Sequence, residues 1–113
     1  MSTVTFPWAE YRELVPINET PKDSKALAMR DSVIIEYLPL ASRVAIKMIK
    51  YLPNHVDRDD LESYAKLGLL RAITRFNHEL GVPFEAYAVT NMRSVMLDGL
   101  RSCLLYTSPS PRD

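Results

Sequence analysis

The sequence predicts an all-α protein, a compact helical bundle of three principal helices preceded by a short N-terminal helix. Three observations carry that expectation. Apolar residues recur every three or four positions over three long stretches, prolines and polar turns separate those stretches, and nothing in the chain alternates as a strand would. At 113 residues there is room for one domain with a modest core.

Residues 1–27 read as a leader broken by Pro7, Pro16 and Pro21, in which Trp8 and Tyr11, three apart, share one face of a short helix. Residues 28–102 read as the principal domain. From Arg30 the positions Ile34, Leu38, Ala41, Val44 or Ala45, Met48 and Leu52 trace one buried helical stripe. Pro39 interrupts it and predicts a kink or a fresh start there. Arg43, Lys47 and Lys50 share the outward face, which reads as solvated surface. Pro53 and Asn54 then turn the chain.

Asp59-Asp60-Leu61-Glu62 has the form of a capping box, with Asp59 as the cap and Glu62 reaching back. Asp57, Asp59 and Asp60 suit the positive end of a helix, which explains these carboxylates without a divalent metal. The helix that follows covers about residues 60–76, with Leu61, Ala65, Gly68 or Leu69, Ala72 and Phe76 inward. Its small residues Ala65, Gly68 and Ala72 allow another helix backbone to come close. Asn77 to Gly81 ends it, with Gly81 free to take a positive φ. Pro83 suits the first turn of the last helix, whose apolar stripe runs through Phe84, Ala88, Met92 with Val95, and Gly99 to about Arg101. Residues 103–113, rich in serine and proline, are expected to be disordered. They read as a foreign tail, in the manner of a translated adaptor or a read-through scar, with the natural sequence stopping near Ser102.

Composition narrows the function. No apolar run approaches the roughly 18 residues of a membrane span, and the N-terminus lacks a basic start followed by an apolar stretch, so the expected compartment is the cytoplasm. One cysteine, Cys103, excludes an intramolecular disulfide framework and a cysteine-rich zinc site. Three isolated glycines provide no phosphate-binding loop. His55 and His78 fall in turns without the acidic or nucleophilic neighbours of a catalytic relay. Neither an enzyme, a metal site nor a cofactor is expected. Fourteen basic residues balance fourteen acidic ones, which does not suit a stand-alone duplex binder. DNA contact would be weak alone and gain from a partner.

The last helix carries the functional signal. Phe84, Tyr87, Thr90, Asn91, Arg93, Asp98 and Arg101 place rings and cations on one scaffold, which is what unstacked bases and phosphates require. Phe84 lies on the apolar stripe and reads as core. Tyr87 suits either role, since its ring can pack with its hydroxyl wet or stack on a flipped base.

The segments RDSVIIEYLPLASRVA, YLPNHVDRDDLESYAKLGLLRAITRF and GVPFEAYAVTNMRSVMLDGLRS go further. In this order, residues 30–102 resemble the second conserved region of bacterial RNA polymerase sigma factors, nearest to the alternative factors of the motility and sporulation type. The resemblance implies a domain that binds core RNA polymerase through the coiled coil of its largest subunit, with Asp60, Ser63, Tyr64, Lys66 and Leu70 as contacts. It also implies recognition and melting of the promoter minus-ten element, in which Tyr87 stacks on a base flipped from the non-template strand. Thr90, Asn91, Arg93, Asp98 and Arg101 would meet that strand or its neighbourhood, arginine to phosphate and carboxylate to cytosine amino groups. An anti-sigma protein is a further implied partner.

Departures from the pattern bear on this reading. Thr90 and Asn91 stand where primary sigma factors have a tryptophan pair, and where motility-type relatives commonly have a polar residue and an arginine. Ser94 and Ala65 replace glycines common in the subgroup. The aromatic-basic continuation expected after Ser102 is not in the sequence, so the chain reads as a fragment. The alternative reading is a helical interaction module that binds polymerase or a regulator without engaging DNA.

Overall fold

The computed structural model describes residues 6–52 and 56–107, with the backbone alone described from residue 101 onward. Four helices follow in order: α1 (Trp8–Leu14), α2 (Ser24–Ile49), α3 (Arg58–Arg75) and α4 (Phe84–Thr107), with a 3₁₀ turn at His78–Leu80. No strand occurs among the described residues. The all-α bundle expected from the periodicity is what forms. The turn at Pro53 and Asn54, and His55, lie outside the described residues, as do residues 108–113 of the tail; residues 103–107 continue α4.

α2 begins a full turn and more before Arg30, because the Asp23 side chain accepts a hydrogen bond from the Ala26 N–H at 2.8 Å and so caps it. Pro39 does not restart the helix. Ile35, whose carbonyl loses its donor to the proline, is 67% exposed, so solvent can take over the missing bond. Val33, Ala41, Val44 and Ala45 are buried, while Leu38 is only half-buried and lies outside the core cluster. Val33 belongs to that cluster, and the half-buried Tyr37 packs against it.

The cap of α3 is Asp57 rather than Asp59: the helix starts one residue before Asp59, and the Asp57 carboxylate accepts from the Asp59 N–H at 3.0 Å. Glu62 is drawn outward instead of back, to the Arg58 guanidinium 3.4 Å away. α3 and α4 form the main packing layer. Leu61, Ala65, Gly68, Leu69, Ala72 and Ile73 of α3 face Ala88, Met92, Met96 and Leu100 of α4, all buried. At Gly68 an added Cβ would stand 2.4 Å from the Met92 Cα, so the two backbones touch there. Gly81 ends the connecting turn at φ +82°, as a glycine permits.

α1 closes the base of this pair. Tyr11 and Val15 are fully buried, and Trp8 packs on Phe76 and Phe84 with ring centroids 4.8 and 4.9 Å away. Arg12 donates to the Phe76 and Val15 carbonyls, each at 3.1 Å, and to the Ile73 carbonyl. The end of α3 is thus provided with donors that a helix C-terminus lacks. Burial lowers the pKa of Arg12, partly offset by Tyr11 and Tyr87.

Candidate nucleic-acid interface

Phe84 settles into the core, as its place on the stripe predicts: it is buried among Trp8, Tyr37 and Phe76. Tyr87, one turn on, is half-buried. Its ring leans on Phe76 at 5.6 Å with a 44° tilt, so one side packs while the residue still reaches solvent. The chain Trp8–Phe76–Tyr87 therefore ties the tyrosine to α1 through a single intervening ring.

Thr90 is exposed and Asn91 half-buried. Both turn back on their own helix: the Thr90 hydroxyl donates to the Ala86 carbonyl at 3.1 Å, and the Asn91 amide to the Tyr87 carbonyl at 2.9 Å. Each keeps capacity to meet a base: the Thr90 oxygen can accept, and the Asn91 side chain retains a second N–H and its carbonyl oxygen. Asp98 is exposed on the same face, and Arg101 lies on the α4 backbone with its side chain outside the described part.

Arg93 does not share that face. Six residues from Tyr87 on a helix of 3.6 residues per turn, it stands about 120° round α4. It turns toward α2 and lines a groove of about 740 Å³ between the two helices. Arg43, Lys47 and Lys50 line the same groove, together with Tyr51, which is 87% exposed. The sequence alone read that basic face as solvated surface and passed over Tyr51. The spacing of the three cations puts them on one face, as expected, but does not set that face opposite Arg93.

On α3 the residues expected to meet polymerase divide. Asp60, Ser63 and Lys66 are exposed, and Leu70 is half-buried. Leu67, 54% exposed, sits between Ser63 and Leu70 on the helix surface; sequence reasoning missed it. Among the described residues of α3 it is the one large apolar side chain that is exposed, an apolar anchor amid polar neighbours. Tyr64 instead turns inward to α4: its ring covers Gly99, where an added Cβ would come within 2.6 Å of it. Its part is to pack the helix pair, with one edge left at the surface.

No cluster of three or more histidine, cysteine or acidic residues that could hold a metal ion occurs among the described residues. No helix there is long and apolar enough to cross a membrane.

Comparison with known proteins places this geometry. The family model described as Sigma-70 region 2 matches residues 33–102, from the middle of α2 through most of α4. RNA polymerase sigma factor FliA of Yersinia enterocolitica is 38% identical over 73 residues, 65% of this chain and 32% of the relative. The FliA of Escherichia coli K12 is 41% identical over 66 residues, 58% of this chain and 28% of the relative. RNA polymerase sigma-D factor of Bacillus subtilis is 35% identical over 80 residues, covering 71% and 30%. The chain thus spans about a third of the length of these relatives. No solved structure matches it. With the family model covering more than half of the chain and the relatives agreeing, this protein belongs to the sigma-70 region 2 family, and within it to sigma factors of the motility type.

Proposed function

We propose that this chain binds core RNA polymerase and recognises and melts the promoter minus-ten element, as the region 2 domain of an alternative sigma factor in transcription initiation. Residues 28–102 are the working domain, acting with polymerase in the cytoplasm. The observation that carries the reading is the family match over residues 33–102 joined to the α4 surface it covers: a half-buried Tyr87 held by Phe76, with polar groups along the helix beyond it.

The physical sequence of events follows from that surface. α3 presents Asp60, Ser63, Lys66 and the exposed Leu67 to the coiled coil of the largest polymerase subunit, which brings α4 to DNA at high local concentration. That help is needed, because a chain with no net charge gains little from phosphate neutralisation on its own. Base opening then exposes a π-face on the non-template strand, and Tyr87 stacks on it. Its lean on Phe76 fixes the ring beforehand, so little rotamer freedom is lost on stacking. Arg93 and Arg101 meet phosphates, and Asp98, Thr90 and Asn91 meet base edges or sugars. An anti-sigma protein would act by covering either surface.

The bonds from Thr90 and Asn91 back to their own helix favour a second reading, an interaction module that binds polymerase or a regulator without opening DNA. A hybrid separates the two. Residues 33–102 would replace the matching segment of the Escherichia coli relative, and the hybrid would be assembled with core polymerase on a promoter of that factor. Permanganate reactivity of minus-ten thymines is expected. Polymerase binding without any such reactivity would leave the interaction module as the correct reading.

A further inference from the structure

Arg12 is a half-buried cation that forms no ion pair among the described residues. Holding a charge there without a carboxylate is costly, and burial accordingly lowers its pKa. What it meets instead is backbone. Its Nη1 donates to the Val15 carbonyl within the leader, while Nε and Nη2 donate to the Phe76 and Ile73 carbonyls, 64 and 61 residues away along the chain. The Asn18 N–H donates to the Thr74 carbonyl at 2.8 Å. Three of the four carbonyls from Ile73 to Phe76 are therefore held by the leader, at the end of α3 where a helix has no donors of its own.

That clamp lies under the ring that supports Tyr87. Phe76 leaves α3 in an extended conformation and is 4% exposed. Arg12 fixes its backbone, and Trp8 at 4.8 Å and Phe84 at 5.2 Å hold its ring, on which the Tyr87 ring leans at 5.6 Å. The Tyr87 phenol also bears on the guanidinium itself, opposing the fall in its pKa that burial causes. Capping alone asks only for donors, which water can supply. The planar fork of a guanidinium adds a fixed direction to each bond, so the contact transmits position as well as charge.

We propose that Arg12 is a positioning residue for base capture: by clamping the end of α3 it holds Phe76 still, and Phe76 sets the place of the Tyr87 ring before the DNA opens. The proposal rests on the reading that Tyr87 stacks on a flipped base, and adds to it a residue that precedes the matched span of residues 33–102. A ring already in place captures a base without first being ordered. Losing the clamp should therefore reduce opening about three- to tenfold, the worth of one side chain held in advance.

The test is a double-mutant cycle between Arg12 and Tyr87. Because Arg12 precedes residue 33, the hybrid factor for this experiment carries residues 6–102 of this chain and is assembled with core polymerase. Arg12→Lys keeps the charge and the apolar stem but loses the fork. Promoter occupancy and permanganate reactivity of the minus-ten thymines are measured at a temperature at which circular dichroism shows the variants folded. Arg12→Lys should leave closed-complex occupancy near wild type and lower reactivity at equal occupancy about three- to tenfold. In the Tyr87→Ala background the same change should alter reactivity by less than about twofold, because the ring it positions is gone. Trp8→Phe, which keeps a ring but shrinks the contact with Phe76, should show the same coupling to Tyr87 and decides the matter if Arg12→Lys does not fold.

Equal reactivity in wild type and Arg12→Lys, with Tyr87→Ala defective, would overturn the proposal and leave the reading of Tyr87 standing. So would an equal fall in both backgrounds, the mark of a cap that only stabilises the fold, and so would additive effects of Trp8→Phe and Tyr87→Ala. Wild-type reactivity in Tyr87→Ala would overturn both this proposal and the reading beneath it.

Discussion

Gly68→Ala asks the closest question of the packing, because the sign of its effect depends on one distance. In a helix interior alanine is favoured over glycine by about 1 kcal/mol, so the change would stabilise the protein if space allowed. The new methyl group would lie 2.4 Å from the Met92 Cα and 2.8 Å from both the Met92 nitrogen and the Asn91 carbonyl oxygen, where ordinary contact begins near 3.4 Å. These are backbone atoms, and no rotamer change can clear them. α3 and α4 must therefore part by about 1 Å, loosening the seam of Ala65, Leu69, Ala72, Ala88 and Met92. Overpacking of this kind costs about 1–3 kcal/mol, and obstruction by backbone belongs at the upper end. Set against the propensity gain, the net loss is about 2 kcal/mol, a fall in Tm of about 8–12 °C for a domain of this size. Thermal unfolding followed by circular dichroism measures it. Gly81→Ala is the comparison: nothing lies within 4 Å of its added Cβ, and only the strain of φ +82° acts, about 1 kcal/mol. If Gly68→Ala melts at or above the wild-type temperature, the close crossing of α3 and α4 is wrong.

Other expectations follow from the same packing. Phe76→Ala, which removes the ring shared by Trp8, Phe84 and Tyr87, should cost about 3–5 kcal/mol in urea unfolding, and a loss below 1 kcal/mol would mean that the aromatic cluster is not formed. Tyr11 and Tyr37 have pKa values raised from 10.0, by burial first, in Tyr37 also by Glu36 and Glu85, and in Tyr11 against the opposing pull of Arg12 and Arg30. Their folded pKa lies above the unfolded one, so stability is intact below about pH 10 and falls as pH rises through and beyond it. Melts of wild type and a Tyr11→Phe/Tyr37→Phe variant between neutral and strongly alkaline pH should diverge there, and parallel curves would contradict the assignment. Charge reversal at Asp60 or Lys66, both exposed, should weaken binding to the largest-subunit coiled coil without lowering Tm, and unchanged titrations for both would remove α3 from that interface.

How far the fold is legible in the sequence depends on the kind of feature. The stripes of α3 and α4 are readable because their apolar faces meet along the main packing seam, so period and burial coincide. α2 is different. It packs on both α1 and the α3–α4 pair, and its burial centres on Val33, Ala41, Val44 and Ala45 while Leu38 stays half-buried. Pro39 breaks a helix in isolation, yet on an exposed side solvent can take over its lost bond, and no local rule announces which side it will take. The shift of the α3 cap from Asp59 to Asp57 is a choice among three neighbouring aspartates, each able to cap. Of the candidate site, the exposure of Asp60, Ser63 and Lys66 follows from the helical period. The position of Arg93 against Arg43 and Lys47 does not, since it depends on how α2 and α4 cross. Tyr64 reads as a surface contact until Gly99 is seen beneath its ring.

Tyr87 is expected to serve opening rather than binding. Base stacking by an aromatic side chain is worth about 1–3 kcal/mol and is gained only once the base has left the duplex. In the hybrid factor assembled with core polymerase, Tyr87→Ala should therefore leave closed-complex binding near wild type and reduce permanganate reactivity of the minus-ten thymines by about tenfold or more. Equal reactivity in wild type and Tyr87→Ala, at equal occupancy of the promoter, would contradict the account and leave Tyr87 as a packing partner of Phe76.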